Sequence, residues 1–212
     1  MNEIENRVLT AAHSPASRRQ FFKGVGVGLA ALAVTAVNPL AEGQAFAAGM
    51  TQQLTDLDIL NFALTLEHLE AEFYKMAVSG GKLSGDALTI LTTVRDHEIE
   101  HVNTLTTVIT SLKGTPVAKL AAYNFGDMST QAAILATAET LEGVGVGAYT
   151  GAAAAITDKK TLLAAAASIE QVEARHYGAI RYLRGSDPAP EAFGPTKTVA
   201  EVTDAIKPIV GS

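Results

Sequence analysis

The chain has no cysteine. Disulfides, zinc–thiolate sites, iron–sulfur clusters and thiol nucleophiles are therefore excluded, and any bound metal must be held by carboxylates and imidazoles. Proline is scarce, with seven residues in 212, which leaves room for long helices. An excess of positive charge is also missing. Sixteen basic residues face 22 acidic ones, a net charge of −6, which argues against a nucleic-acid binder. Charged residues make up 18% and hydrophobic residues 48%, the balance of a folded globular chain long enough for one domain with a sizeable core. Alanine is dense between positions 121 and 167, favouring helix over strand.

A long hydrophobic run is lacking as well. The apolar, glycine-rich stretch Gly24 to Val37 spans 14 residues, short of the roughly 20 that a spanning helix needs. It follows Ser17-Arg18-Arg19-Gln20-Phe21-Phe22-Lys23 and precedes Ala45-Phe46-Ala47, a small-x-small cleavage pattern. Charged region, apolar region and cleavage site fall in the order of an export signal. The arginine pair resembles a twin-arginine translocation signal. Residues 1–47 are expected to be that signal peptide, recognised by the twin-arginine machinery, and residues 48–212 the mature domain, periplasmic or otherwise exported. No cysteine follows the apolar region, so no lipid anchor is available, and the mature part is expected to carry no membrane anchor.

Periodicity predicts four long helices. The first runs from about Asp56 to Val78, capped by Thr55, with Leu57, Leu60, Leu64, Glu67, Ala71 and Tyr74 on one face; Ser79-Gly80-Gly81 ends it. The second is expected over about 85–112, capped by Ser84 and closed by Gly114 and Pro116. The third is expected over about 129–156. The fourth begins after Asp158 and ends at Arg184 before Gly185. A short helix over about 199–206 stops before Pro208. Short links join the first pair and the last pair, while 113–128 is long enough to cross a bundle. The pattern repeats. A shift of 75 residues carries Thr65-Leu66-Glu67 onto Thr140-Leu141-Glu142, Tyr74 onto Tyr149, and Glu98 and His101 onto Glu173 and His176, without a gap. A duplicated helical hairpin accounts for this.

Glu98-x-x-His101 and Glu173-x-x-His176 each place a carboxylate and an imidazole one turn apart on one helix face. Each pair follows a lone helical glutamate, Glu67 or Glu142, by 31 residues. Chance would give about 0.3 E-x-x-H pairs in a chain of this composition. Glu67 and Glu142 interrupt apolar faces, where a charge is costly unless it is paired or metal-bound. One Glu from each of two helices and one E-x-x-H from each of two others is the donor set of di-iron and di-manganese helical bundles. Four carboxylates offset the charge of two divalent cations, and hard oxygen and nitrogen donors suit iron or manganese. The expected metal donors are Glu67, Glu98, His101, Glu142, Glu173 and His176, and the expected cofactor is two Fe or two Mn ions. The alternative is a set of surface charges in i, i+3 pairs.

The stretches LTLEHLEAEFY, RDHEIEHV, YNFGD, AETLEGVGVGAYTGAA and IEQVEARHYGAIR resemble a ferritin-like family that includes the plant desiccation-related proteins and exported bacterial relatives. That family sits within the superfamily of ferritins, rubrerythrins and manganese catalases. The resemblance covers nearly all of 51–207 and implies an all-α ferritin-like four-helix bundle with a metal site. It does not imply a secure activity.

Around the site, Tyr74 and Tyr149 lie two turns beyond Glu67 and Glu142 and are placed either to bond a carboxylate of the opposite half or to act as core aromatics. Glu70, whose repeat mate is Gly145, is an extra donor, a proton carrier or a solvated charge. Glu139 and Glu170 are left with the same ambiguity. His68 and His97 point about 100° away from the donor face and are expected at the surface or behind the donors. Gly143, Gly145 and Gly147 weaken a helix, so they imply either an oxidant-sized pocket or close packing. The leading function is an exported di-metal protein acting on a small oxidant, dioxygen or peroxide, as ferroxidase, peroxidase or catalase-like oxidoreductase in oxidative stress. The alternative is a non-catalytic metal-binding or stress (desiccation)-protective protein. The sequence admits a homo-oligomer.

Overall fold

The structure, a computed structural model, describes residues 54–211. The export signal expected over 1–47 lies outside the described residues. Five helices and no strand occur among those residues: α1 Asp56–Ser79, α2 Gly85–Ser111, α3 Gln131–Ala152, α4 Leu162–Leu183 and α5 Val199–Val210. None is long and apolar enough to cross a membrane.

The start of α1 follows from its first residues. The Thr55 hydroxyl accepts from the Asp58 backbone N–H, and the Asp58 carboxylate accepts from the Thr55 N–H at 2.9 Å, closing a capping box worth about 1 kcal/mol. Ser84 does not cap α2 as expected. Gly85 enters the helix at φ +55°, and Ser84 instead donates its backbone N–H to the Gln131 side chain at 2.9 Å, tying the start of α2 to the start of α3. At the end of α2 the left-handed residue is Lys113 (φ +62°), not Gly114. Gly114 closes the turn through its N–H to Ile109 O at 2.9 Å. It is small for another reason, because a Cβ there would lie 2.7 Å from the Leu57 side chain.

The connection 112–130 then runs along α1. The Val117 N–H donates to Asn61 at 2.8 Å, Lys119 pairs with Glu72 at 3.1 Å, and Phe125 packs edge-on against Phe73 at 5.3 Å. These partners advance from the start of α1 toward its end, so α3 begins at the end of the bundle where α2 began. The two hairpins, α1–α2 and α3–α4, are thus each antiparallel, with α2 and α3 parallel.

Three boundaries differ from the periodicity. Helix α3 starts at Gln131, because Thr130 rather than a residue before Ser129 provides the cap, its hydroxyl accepting from Ala133 N–H at 3.1 Å. The stretch 153–161 is irregular. Asp158 accepts from the N–H groups of Lys160 and Thr161 at 3.0 and 2.8 Å, which makes a turn and delays α4 to Leu162. Helix α5 continues through Pro208, where a proline in the last turn removes only one helical hydrogen bond.

The apolar interior forms two clusters. One gathers Phe73, Leu91, Ile134, Leu141, Ile180, Val202 and Ile206. The other gathers Ile59, Leu64, Leu105, Ile109, Ile156 and Ile169. Along α2 and α4, the residues between them are Glu98, His101, Glu173 and His176, so the polar layer sits mid-bundle. The segment leading to α5 presses on α3: Lys197 N–H donates to Gly147 O at 2.9 Å, and a Cβ on Gly151 would fall 1.9 Å from Lys197 O.

That approach fixes the sign of a test. Gly→Ala inside a helix ordinarily stabilises by up to about 1 kcal/mol, but Gly151→Ala must push backbone off α3. The expected outcome is a loss of about 2 kcal/mol, read as a Tm lower by roughly 4–8 °C in calorimetry. An unchanged or higher Tm contradicts the packing of 186–198 on α3.

Candidate metal centre

The structure brings all six expected donors together. Glu67 comes from α1, Glu98 and His101 from α2, Glu142 from α3, and Glu173 and His176 from α4. The four glutamates are 0% exposed, and the two imidazoles are buried. His101 Nδ1 lies 3.1 Å from carboxylate oxygens of Glu67, Glu98 and Glu173. His176 Nδ1 lies 2.9 Å from Glu98 and 3.4 Å from Glu142. The side chains form two overlapping groups, Glu67–Glu98–His101–Glu173 and Glu98–Glu142–Glu173–His176, each able to offer donor atoms within 4.8 Å of one another. Glu98 and Glu173 belong to both groups.

The tyrosines cross between the halves. The Tyr74 hydroxyl of α1 donates to Glu142 Oε1, and the Tyr149 hydroxyl of α3 donates to Glu67 Oε1. Each of these glutamates therefore has one oxygen tied by the opposite hairpin and the other turned toward an imidazole. Tyr74 also packs edge-on with Phe73 at 5.0 Å, so its hydroxyl and its ring have separate roles.

Glu70 is buried with the cluster, at 2% exposed. It fills the place its repeat mate vacates: a Cβ on Gly145 would lie 3.2 Å from Glu70 Oε1 and 3.1 Å from Glu173 Oε2. The solvated reading of Glu70 is thereby ruled out. Among the described residues, the glycines of α3 face neighbours at close distance rather than open space. Gly143 faces the Tyr177 ring at 3.1 Å and Gly147 faces Lys197 at 2.7 Å, so close packing explains them. Glu139 stands apart, paired with Arg181 and Arg184 at 2.6 Å each. Glu170 belongs to neither donor group. His68 bonds the Val117 carbonyl of the crossover at 3.2 Å. His97 reaches the outer nitrogen of His176 at 2.9 Å. The 100° rule placed His97 correctly on its own helix but carried no information about the neighbouring α4, from which His176 meets it.

Burial governs the electrostatics. It pushes Glu98 up to about 8, helped by the Glu173 charge and opposed by hydrogen bonds from the histidines. Burial and the charges of Glu142 and Glu67 hold Glu173 well above the usual carboxylate range, and burial with four neighbouring carboxylates does the same to Glu70. Burial also raises Glu142. At Glu67 burial is outweighed by the hydrogen bond and charge of His101, which bring it below its ordinary value. Burial would discharge the imidazoles, but their carboxylate partners overcome it and push His101 up to about 12 and His176 up to about 10.

Several of these atoms have no hydrogen-bond partner although water cannot reach them: Glu70 Oε2, Glu98 Oε1, Glu142 Oε2, both oxygens of Glu173, and His176 Nδ1. His176 Nδ1 and Glu98 Oε1 are close without the angles of a hydrogen bond. A buried polar atom left unpaired costs about 1–3 kcal/mol, more when charged. Donor atoms converging without partners are what divalent cations satisfy, and carboxylate plus imidazole suits iron or manganese. The residues present fit the metal pair.

Fold and site together define an all-helical bundle with a buried glutamate–histidine cluster able to bind metal. The chain matches the ferritin-like domain family over residues 55–186 and belongs to that family. The matched span contains all four bundle helices and the whole donor set. No curated protein matches the chain.

The protonation pattern gives a pH dependence for metal-free protein. Glu98 titrates near 8 when folded and near 4.5 when unfolded, so its contribution is present below about 4.5 and lost as pH rises through 8. His101 and His176 act in the same direction, from 6.5 up through about 12 and about 10; Glu67, lowered from 4.5 by His101, acts only in more acid solution and leaves this range unaffected. Metal-free protein is expected to lose Tm steadily between pH 6 and 9. Protein saturated with metal is expected to lose less, because cations replace the protons. A metal-free Tm that rises with pH in circular dichroism melts contradicts these assignments.

Proposed function

We propose that the protein binds a pair of iron or manganese ions and reacts with a small oxidant, dioxygen or peroxide. The observation that carries this reading is the convergence of four fully buried glutamates with two imidazoles, several of whose donor atoms have no hydrogen-bond partner. Glu67 and His101 would hold one ion, Glu142 and His176 the other, with Glu98 and Glu173 shared. A bound pair of such ions supplies two redox equivalents and open positions for a small ligand.

The chain's own residues do the rest. Tyr149 and Tyr74 fix the free oxygens of Glu67 and Glu142 toward the cluster. The two apolar clusters keep bulk water from the carboxylates, strengthening every charge interaction among them. Glu70 keeps a proton at its carboxyl beside the site and is placed to release it as charge changes there. An apolar cavity of about 30 Å³, lined by Leu60, Ala63, Leu105, Ala148 and Ile169, touches the Tyr149 ring, a size and character that suit dioxygen.

We further propose that the chain is exported by the twin-arginine route, on the strength of Ser17-Arg18-Arg19-Gln20-Phe21-Phe22-Lys23. We also propose, on the strength of YNFGD and LEGVGVGAY, that it groups with the desiccation-related and exported bacterial members of the family.

Elemental analysis of protein purified from its own cells is expected to find about two ions of iron or manganese per chain. Electron paramagnetic resonance then separates the two metals. Glu98→Ala combined with Glu173→Ala is expected to drop the content well below one and abolish peroxide or dioxygen consumption. Native protein that is metal-poor, or a double variant as metal-rich as wild type, defeats the proposal; metal without turnover favours the storage or protective alternative. Arg18→Lys with Arg19→Lys is expected to retain the chain in the cytoplasm on fractionation, and normal export of that variant rejects the twin-arginine assignment.

A further inference from the structure

His176 is held from both sides. Its Nδ1 faces Glu98 and Glu142, while its Nε2 lies 2.9 Å from Nδ1 of His97, the ring centroids 5.1 Å apart and the ring planes within 18° of parallel. His97 is the residue just before Glu98 on α2, and its ring is exposed to solvent. The 75-residue shift that superposes the donors fails here. The residue just before Glu173 is Val172, whose alkyl side chain cannot form such a bond.

We propose that His97 is a positioning residue for His176, and that it makes the two metal positions unequal, the Glu142–His176 position being the tighter. The inference rests on the metal reading above. An imidazole that binds a cation through Nδ1 carries its proton on Nε2. An acceptor at that nitrogen fixes the tautomer and ring orientation and raises the donor strength of Nδ1. His97 supplies the acceptor through its own Nδ1, with its remaining N–H left on the solvent side. Valine at 172 cannot give the other hairpin such an acceptor.

The test is a titration of Co²⁺ into metal-free protein, followed by visible absorption and calorimetry. Wild type is expected to take up two ions with distinct affinities. His97→Val, which copies the residue of the other hairpin, is expected to weaken one of them by about 10–100-fold and leave the other unchanged. His97→Asn, whose side-chain oxygen stands where Nδ1 stood, is expected to restore most of that loss. Equal binding by His97→Val and wild type, equal weakening of both ions, or failure of His97→Asn to rescue overturns the inference while leaving the metal reading intact. Wild type that takes up no Co²⁺ overturns both. A second measurement needs no metal: ¹⁵N–¹H spectra of the histidine side chains are expected to show a His176 Nε2–H protected from exchange in wild type and unprotected in His97→Val. The same exchange in both proteins counts against the hydrogen bond itself.

Discussion

Negative charge buried without enough positive charge is the constraint on which the rest of this structure depends. Glu67, Glu98, Glu142 and Glu173 are all shut away from water in the middle of the bundle, and Glu70 lies with them. Four carboxylates at such separations repel one another strongly in a low-dielectric interior. The protein answers in part by raising the proton affinity of most of them and by keeping both imidazoles charged. Two tyrosine hydroxyls, each sent across from the other hairpin, add hydrogen bonds. Unpaired oxygens still remain, and two divalent cations would neutralise four ionised carboxylates. The apolar clusters above and below the layer provide the stability that allows so costly a set of groups to be held in place.

Duplication explains why the site can be built at all from four helices, and departures from it explain its detail. The crossed pairs Tyr74–Glu142 and Tyr149–Glu67 show the two hairpins related as equals, each bracing the other's glutamate. Three positions of α1, His68, Glu70 and Glu72, have glycine as their counterparts in α3. One of those glycines makes room for Glu70 beside the cluster, one meets Tyr177 across to α4, and one receives the segment before α5. The helix-weakening residues of α3 are thus spent on close approach, each at a different neighbour.

Much of this was legible in the residues. E-x-x-H twice, at equal distance from a lone Glu on an apolar face, identified the helices, their pairing and the six side chains that meet. Local signals placed Thr55 and Gly185 correctly, because capping and a left-handed stop depend on a few neighbouring atoms. Ser84 misled because its polar groups are taken by Gln131, 47 residues away, a tertiary contact no local rule contains. Gly114 misled for the same reason: Leu57 decides its size, while Lys113 adopts the left-handed turn. Helix α4 begins late because Asp158 spends its carboxylate on a turn. The contact of His97 with His176 depends on how α2 and α4 are rotated against each other, which periodicity along either helix alone does not specify.

The central claim is that the mid-bundle cluster holds two metal ions. Anomalous X-ray diffraction, recorded at the iron and manganese edges from crystals of protein produced in its own cells, tests it most directly. The account predicts two anomalous peaks enclosed by Glu67, Glu98, His101, Glu142, Glu173 and His176, with Glu98 and Glu173 between them. A well-ordered cluster with no anomalous peak, its carboxylates bridged only by protons and histidines, would contradict it.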